Sequence, residues 1–271
     1  MPRQPDSGAP VTAGAEAAPR LKAPKPFRLA DLGVAEDGYP TMGEKAFELF
    51  RMAILCGALR PGEVLRIKDL VSASGMSRMP VREALARLER TGLVESTPRH
   101  SARVARLSGE DLKDVYDVRL QLEVPAIIAA ARKNGEDDAA LADHWLERLA
   151  EMTAAGDDAG AMEAHSAFHL ALYRASSSSW LHRLLRPLWD CSERYRTAGR
   201  DGVSPAAEME DHERLRDACY QRQAELAGTL LWNHLAETAN RISHEMEGKR
   251  LYLPKPVPSG SASGGQVFAT T

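Results

Sequence analysis

The chain has 271 residues, of which 44% are apolar, 27% charged and only 6% aromatic. That is enough for two modest domains, with cores built from Leu, Ala, Val, Ile and Met, and it favours packed helices over a β-sandwich. No run approaches the roughly 18 apolar residues of a membrane span. The N-terminus lacks a charged-then-apolar secretory pattern, and the three cysteines, Cys56, Cys191 and Cys219, are too few and scattered for a disulfide framework. No membrane partner is therefore expected, and the expected compartment is a reducing cytoplasm.

The net charge of −3 conceals a division, because residues 41–106 carry 12 Lys/Arg against 7 Asp/Glu, whereas residues 107–247 carry 15 against 26. A local basic excess suits nucleic acid, although charge alone allows solvated helix faces equally well.

Residues 1–40 hold 7 of the 16 prolines and are expected to form a flexible N-terminal tail. Residues 248–271, with Pro254, Pro256, Pro258 and a Ser/Gly-rich end, are expected to form a flexible C-terminal tail. Between them the spacing predicts a compact unit over 41–106 and a longer one over 107–247.

In the first unit, Ala46, Phe47, Leu49, Phe50, Ala53 and Ile54 fall at helical spacing after Thr41, a suitable N-cap. Gly57 ends that helix, and a second short helix follows from Ile67 to Ala73. Gly75 supplies a tight bend, and Ser77 can cap a third helix to about Thr91, with Pro80 in its first turn. Leu93–Ser96 and Ala102–Val104 read as two short strands around a loop. Three helices and a two-stranded wing form a DNA-binding arrangement with the third helix in the major groove. Arg78 and Arg82 share one face near its start, placed to reach guanine or phosphate, and Ser77 can bond a phosphate. Taken singly, the arginines could equally pair with Glu83 and Glu89.

The second unit is helical throughout. Segments 108–133, 136–155, 158–175, 179–197, 205–220 and 223–247 are predicted as six amphipathic helices in an antiparallel bundle, the first bent at Pro125. The expected fold class is thus mainly α, an N-terminal winged helix-turn-helix with a small β-wing and a C-terminal all-α bundle. His165 and His169 are four residues apart, on one helix face about 6 Å apart along the axis. With His212 and His234 on the last two helices, they can converge on one divalent ion, and neutral imidazole suits a transition metal better than Mg or Ca. Scattered histidines also serve as ordinary packing residues.

The string A-I-L-C-G-A-L-R-P-G-E-V-L over 53–65, with G-M-S-R-M-P-V-R-E-A-L-A-R-L and G-L-V after it, resembles the GntR superfamily of bacterial transcription regulators. The resemblance implies that Lys68, Ser77, Arg78 and Arg82 touch operator DNA, and that a wing tip at Arg99 and His100 reaches the adjacent groove. Ser101 stands where the family usually has Gly. In the second unit, R-L-Q-L-E, H-S-A-F-H, D-H-E-R-L and H-L are similar to the FCD effector domain of the FadR subfamily, many of whose members hold a metal with one Asp and three His. The three-His part maps onto His169, His212 and His234, and His165 stands in the Asp position. The resemblance implies a divalent transition metal of the Zn, Ni or Mn class. It also implies a small carboxylate effector, with Arg119 as its fork or as a salt-bridge partner of Glu123. A homodimeric, effector-controlled repressor on double-stranded operator DNA follows as the expectation. The alternatives are a metal-dependent enzyme using the histidine cluster, for which no recognised hydrolase motif is present, and a regulator whose bundle serves dimerisation alone.

Overall fold

The computed structural model describes residues 32, 38–97, 101–199 and 205–258. Arg99 and His100 of the expected wing tip lie outside them.

The first unit begins with α1 (Met42–Leu55), β1 (Val64–Leu65), α2 (Ile67–Ser74) and α3 (Arg78–Arg90), followed by β2 (Val94–Thr97) and β3 (Ser101–Val104). Thr41 caps α1, its hydroxyl accepting from the Glu44 N–H, which satisfies one of the helix's orphan donors. Gly75 ends α2 at φ +69°, a left-handed bend that a side chain would strain. Phe50, Ile54, Leu70, Val81, Leu88, Leu93 and Val104 close the core.

The sheet is antiparallel in the order β1-β3-β2, with Val64 opposite Arg103 and Val94 opposite Val104. The expected wing of two strands therefore has a third. Two residues are too few to show an alternating pattern, and β1 exists because β3 offers it an edge.

The second unit comprises α4 (Gly109–Ala131), α5 (Glu136–Ala155), α6 (Asp158–Tyr173), α7 (Ser179–Ala198), α8 (Pro205–Tyr220) and α9 (Ala224–Glu247). Ser108 caps α4 through the Asp111 N–H, and α4 continues through Pro125 as one helix. Helix α5 packs on α6 and α4 on α9, around Tyr116, Ile127, Phe168, Leu185, Leu215 and Leu231. None of the described helices is long and apolar enough to cross a membrane.

The two units touch through α6 and α7. Met162 of α6 packs into the core of the first unit. Asp190 of α7 pairs with Arg51 at 2.7 Å, the Cys191 thiol donates to the Thr91 carbonyl, and Arg194 donates to the Ala105 carbonyl.

Residues 248–271 were expected as a flexible tail, and the described part departs from that. The Asn240 side chain accepts from the Leu251 and Tyr252 N–H groups and donates to the Tyr252 carbonyl. Asn233 brackets Lys255 in the same way, and the Lys255 ammonium sits 3.6 Å over the Trp232 ring. Seven helical residues rise about 10 Å, which three extended residues also span, so the two asparagines match an extended segment. Tyr252 then donates to Asp117 of α4. The composition of the segment suggests disorder, but its backbone groups are taken up by side chains of α9.

Candidate functional site

Two sites emerge, one on the surface of the first unit and one inside the second. On α3, Val81, Leu85 and Leu88 face the core while Arg78 and Arg82 are exposed. Lys68 on α2 and Ser77 at the start of α3 are exposed as well. Ser77 occupies the cap position without accepting a helix N–H, which leaves its hydroxyl for another partner. Among the described residues, Arg78 and Arg82 have no ion-pair or hydrogen-bond partner. Glu89, offered by the sequence as a partner, instead accepts from the Ser96 hydroxyl. Met79, 66% exposed between the two arginines, went unremarked in the sequence, where a single methionine in a helix carries no signal.

Inside the second unit, α6 brings His165 and His169 against His212 of α8 and His234 of α9. One ring nitrogen from each lies within 4.8 Å of the other three. All four are buried. Burial, reinforced by the Arg196 charge, pushes His212 down to about 3. Burial first, then the surrounding rings and guanidinium groups, hold His165, His169 and His234 well below the ordinary imidazole range. The four rings are neutral at physiological pH, the form in which a ring nitrogen can ligate a metal.

The arrangement fits such an ion on two counts. The Nε2 atoms of His169 and His212 lie 3.3 Å apart, close to the edge of about 3.3–3.4 Å expected of a tetrahedron with metal–nitrogen distances near 2.0–2.1 Å. Tyr173 donates to Glu123 at 2.7 Å, so its oxygen is left to accept from His169 Nδ1 at 3.4 Å. That chain puts the His169 proton on Nδ1 and its lone pair on Nε2, the outer support that ligating histidines usually have.

Arg119 belongs to this support. Its Nε donates to Glu123 at 2.6 Å and its Nη1 to Ser192 at 2.9 Å, with the guanidinium 4.3 Å over the Trp189 ring. Of the two readings open for Arg119, the structure shows the ion pair.

A cavity of about 350 Å³ opens beside the cluster, with His165 and His212 in its wall. Its polar lining includes Glu193, Arg196, Glu208 and Arg241, and its apolar lining Leu149, Ala161, Met162 and Met209. Arg119 does not line it. The cations that do, Arg196 and Arg241, were missed in the sequence. Arg241 follows His234 by seven residues, two turns on the same face, and that spacing was the available signal. Arg196 carried none. It donates to His165 Nδ1 at 2.7 Å and to Glu193 at 3.0 Å, and it also pairs with Glu208.

Comparison with known proteins gives concordant results for both units. Residues 43–104 match the family described as bacterial regulatory proteins, gntR family, and residues 114–237 match the FCD domain. The HTH-type transcriptional regulator BphR of Paraburkholderia xenovorans is 33% identical over 73% of this chain and 84% of its own length. The HTH-type transcriptional repressor GlaR of Escherichia coli is 28% identical over 72% and 93%. Among solved structures, E. coli McbR/YncC superposes with a TM-score of 0.67 at 23% identity over 76% of this chain and 99% of its own, a likeness of fold. A GntR transcriptional regulator from Rhodococcus sp. RHA1 gives 0.65 at 25% identity over 74% and 96%.

Proposed function

We propose a ligand-controlled repressor, on the premise that the chain belongs to the gntR family of bacterial regulatory proteins and is a transcription regulator carrying an FCD domain. The family and the relatives named above are regulators rather than enzymes, which sets aside the hydrolytic reading of the histidines.

Residues 41–106 are the DNA-binding domain. Arg78 and Arg82 reach base edges from the start of α3, Ser77 and Lys68 take phosphates, and Met79 supplies an apolar contact such as a thymine methyl accepts. A homodimer in the cytoplasm presents two such helices to the half-sites of a two-fold operator.

Residues 107–247 are the effector-binding and dimerisation domain. A divalent transition metal of the Zn, Ni or Mn class lies in the histidine cluster, where it supplies a Lewis-acidic centre for an anionic ligand. The effector is a small carboxylate in the adjoining cavity. Arg196 and Arg241 face it there, while Arg119 acts one step removed, holding Glu123 and through Tyr173 orienting His169. Helices α6 and α7 carry both this wall and the contacts to the first unit, Met162 and Asp190. A ligand that binds one placement of the two units better than the other shifts operator affinity accordingly.

The observation that carries this reading is the buried four-histidine cluster opening on a cavity with two guanidinium groups. The first measurement is the elemental metal content of the purified chain, with His169→Ala beside it. About one transition-metal ion per chain, lost in the variant, is the expected result. A wild-type chain that neither holds nor takes up an ion removes the metal from the proposal.

A further inference from the structure

We infer that His165 is not a metal ligand in this chain but a hydrogen-bond donor to the anionic ligand, set in that role by Arg196. The inference rests on the metal reading above and deepens it.

The argument begins with the lone pair. A neutral imidazole has one N–H and one acceptor nitrogen, and a guanidinium has only donors and keeps its charge. Arg196 Nη1 lies 2.7 Å from His165 Nδ1, so Nδ1 is the acceptor and the proton of His165 is on Nε2. His165 can give its lone pair to Arg196 or to a metal ion, not to both. Arg196 is also tied to Glu193 and Glu208, which hold the guanidinium in place against the ring.

The Nε2–H has no partner among the described residues, although His165 is only 4% exposed. A buried donor left unpaired is costly, and its presence beside a cavity marks a place where an acceptor is missing. His169, by contrast, has its Nδ1 against the Tyr173 oxygen and its Nε2 turned toward His212. Two histidines on one helix, four residues apart, thus have opposite proton arrangements because their outer partners differ. His169 meets a hydroxyl oxygen that accepts, and His165 meets a cation that donates.

Charge points the same way. Three neutral imidazoles around a dication would leave the ion without an anionic ligand of its own, since the nearby Glu193 and Glu208 carboxylates are taken up by Arg196, and a bound anion would supply one. The cavity supplies the space, and His165 Nε2–H supplies a donor directed at an oxygen of that anion. The ligand class is therefore a small oxyanion with an oxygen lying between the three-histidine set and His165, a carboxylate with a short apolar body being the one that the Met162 and Met209 wall suits.

The test uses the full chain loaded with Co(II), whose visible absorption reports its ligands, and acetate as the anion probe. Metal affinity and the spectrum without acetate are expected to be unchanged in His165→Ala and lost in His169→Ala. Acetate binding, read from the change in the Co(II) bands, is expected to weaken about tenfold in His165→Ala, as loss of a hydrogen bond to a charged group does. A second variant works in the opposite direction. Arg196→Met frees the His165 lone pair, so the Co(II) spectrum should shift toward a fourth nitrogen ligand, and the shift should vanish in the Arg196→Met/His165→Ala double variant.

Several results would overturn the inference. One is a His165→Ala chain with a changed acetate-free spectrum or about tenfold weaker metal binding, and another is acetate binding equal to wild type. An Arg196→Met spectrum identical to wild type does the same. A wild-type chain that takes up no Co(II) overturns this inference and the metal reading together, whereas the other results leave the metal reading standing.

Discussion

The arginines of α3 and those of the helical domain are the same side chain put to opposite uses. Arg78 and Arg82 are exposed and without partners among the described residues, so their donors are open to groups from outside, which the proposed operator contact would supply as phosphates and base edges. Arg119 and Arg196 are enclosed, and each is bound to at least one carboxylate and one further acceptor. A buried guanidinium has to be satisfied within the fold, so it acts by setting where its neighbours point and which of their nitrogens carries a proton. The surface arginines leave all their donors open, whereas Arg119 gives its donors to the fold and Arg196 gives most of its own to His165, Glu193 and Glu208 while still lining the cavity.

The contrast can be broken most forcefully with acid. Unfolded imidazoles take up protons below about pH 6.5, whereas burial holds all four cluster histidines lower, His212 at about 3. The unfolded chain of the metal-free protein therefore binds more protons as the pH drops. Stability is intact above about pH 6.5 and is lost progressively below it, at up to about 1.4 kcal/mol per pH unit for each histidine. Denaturant titrations between pH 7.5 and 5 should show this loss, and His169→Phe should flatten the slope. A flat profile in the wild type would mean that the cluster is hydrated rather than enclosed.

Next in size is Glu123→Gln. It leaves Arg119, 2% exposed, without its counter-charge and should cost roughly 3–5 kcal/mol in thermal or denaturant unfolding, as breaking a buried pair does. A loss under about 1 kcal/mol, the range of a surface pair, would place Arg119 energetically with the arginines of α3.

Arg82→Ala should do the reverse, leaving unfolding nearly unchanged while weakening operator binding by about 1–3 kcal/mol. Titration of a labelled operator checks it. Equal affinity and sequence preference would remove Arg82 from the base-reading set.

Much of this architecture was legible in the sequence because it rests on neighbours in the chain. Thr41 caps the helix it was expected to cap, and the predicted helices end within about two residues of the observed ones, since caps, glycines and apolar period are local signals. The four histidines were legible as a set because i, i+4 spacing and two later helices leave few other ways to face one core. Strand β1, the strap of residues 251–255 along α9 and the Arg196–His165 bond were not. Each depends on a partner supplied from elsewhere in the chain, an edge of β3, the Asn233 and Asn240 amides, or a ring on α6 reached from α7.

What the sequence by itself determined, then, was the inventory: a basic winged helix, a helical bundle and four histidines on three of its helices. Tertiary structure decided what each group is free to do. An imidazole has one lone pair, and an arginine or a tyrosine packed against its far side settles where that lone pair points. That contact lies 31 residues away in the chain for His165 and only four for His169. No spacing rule reaches the first of them, because it is the packing of α7 on α6, not the order of residues, that brings Arg196 to the ring.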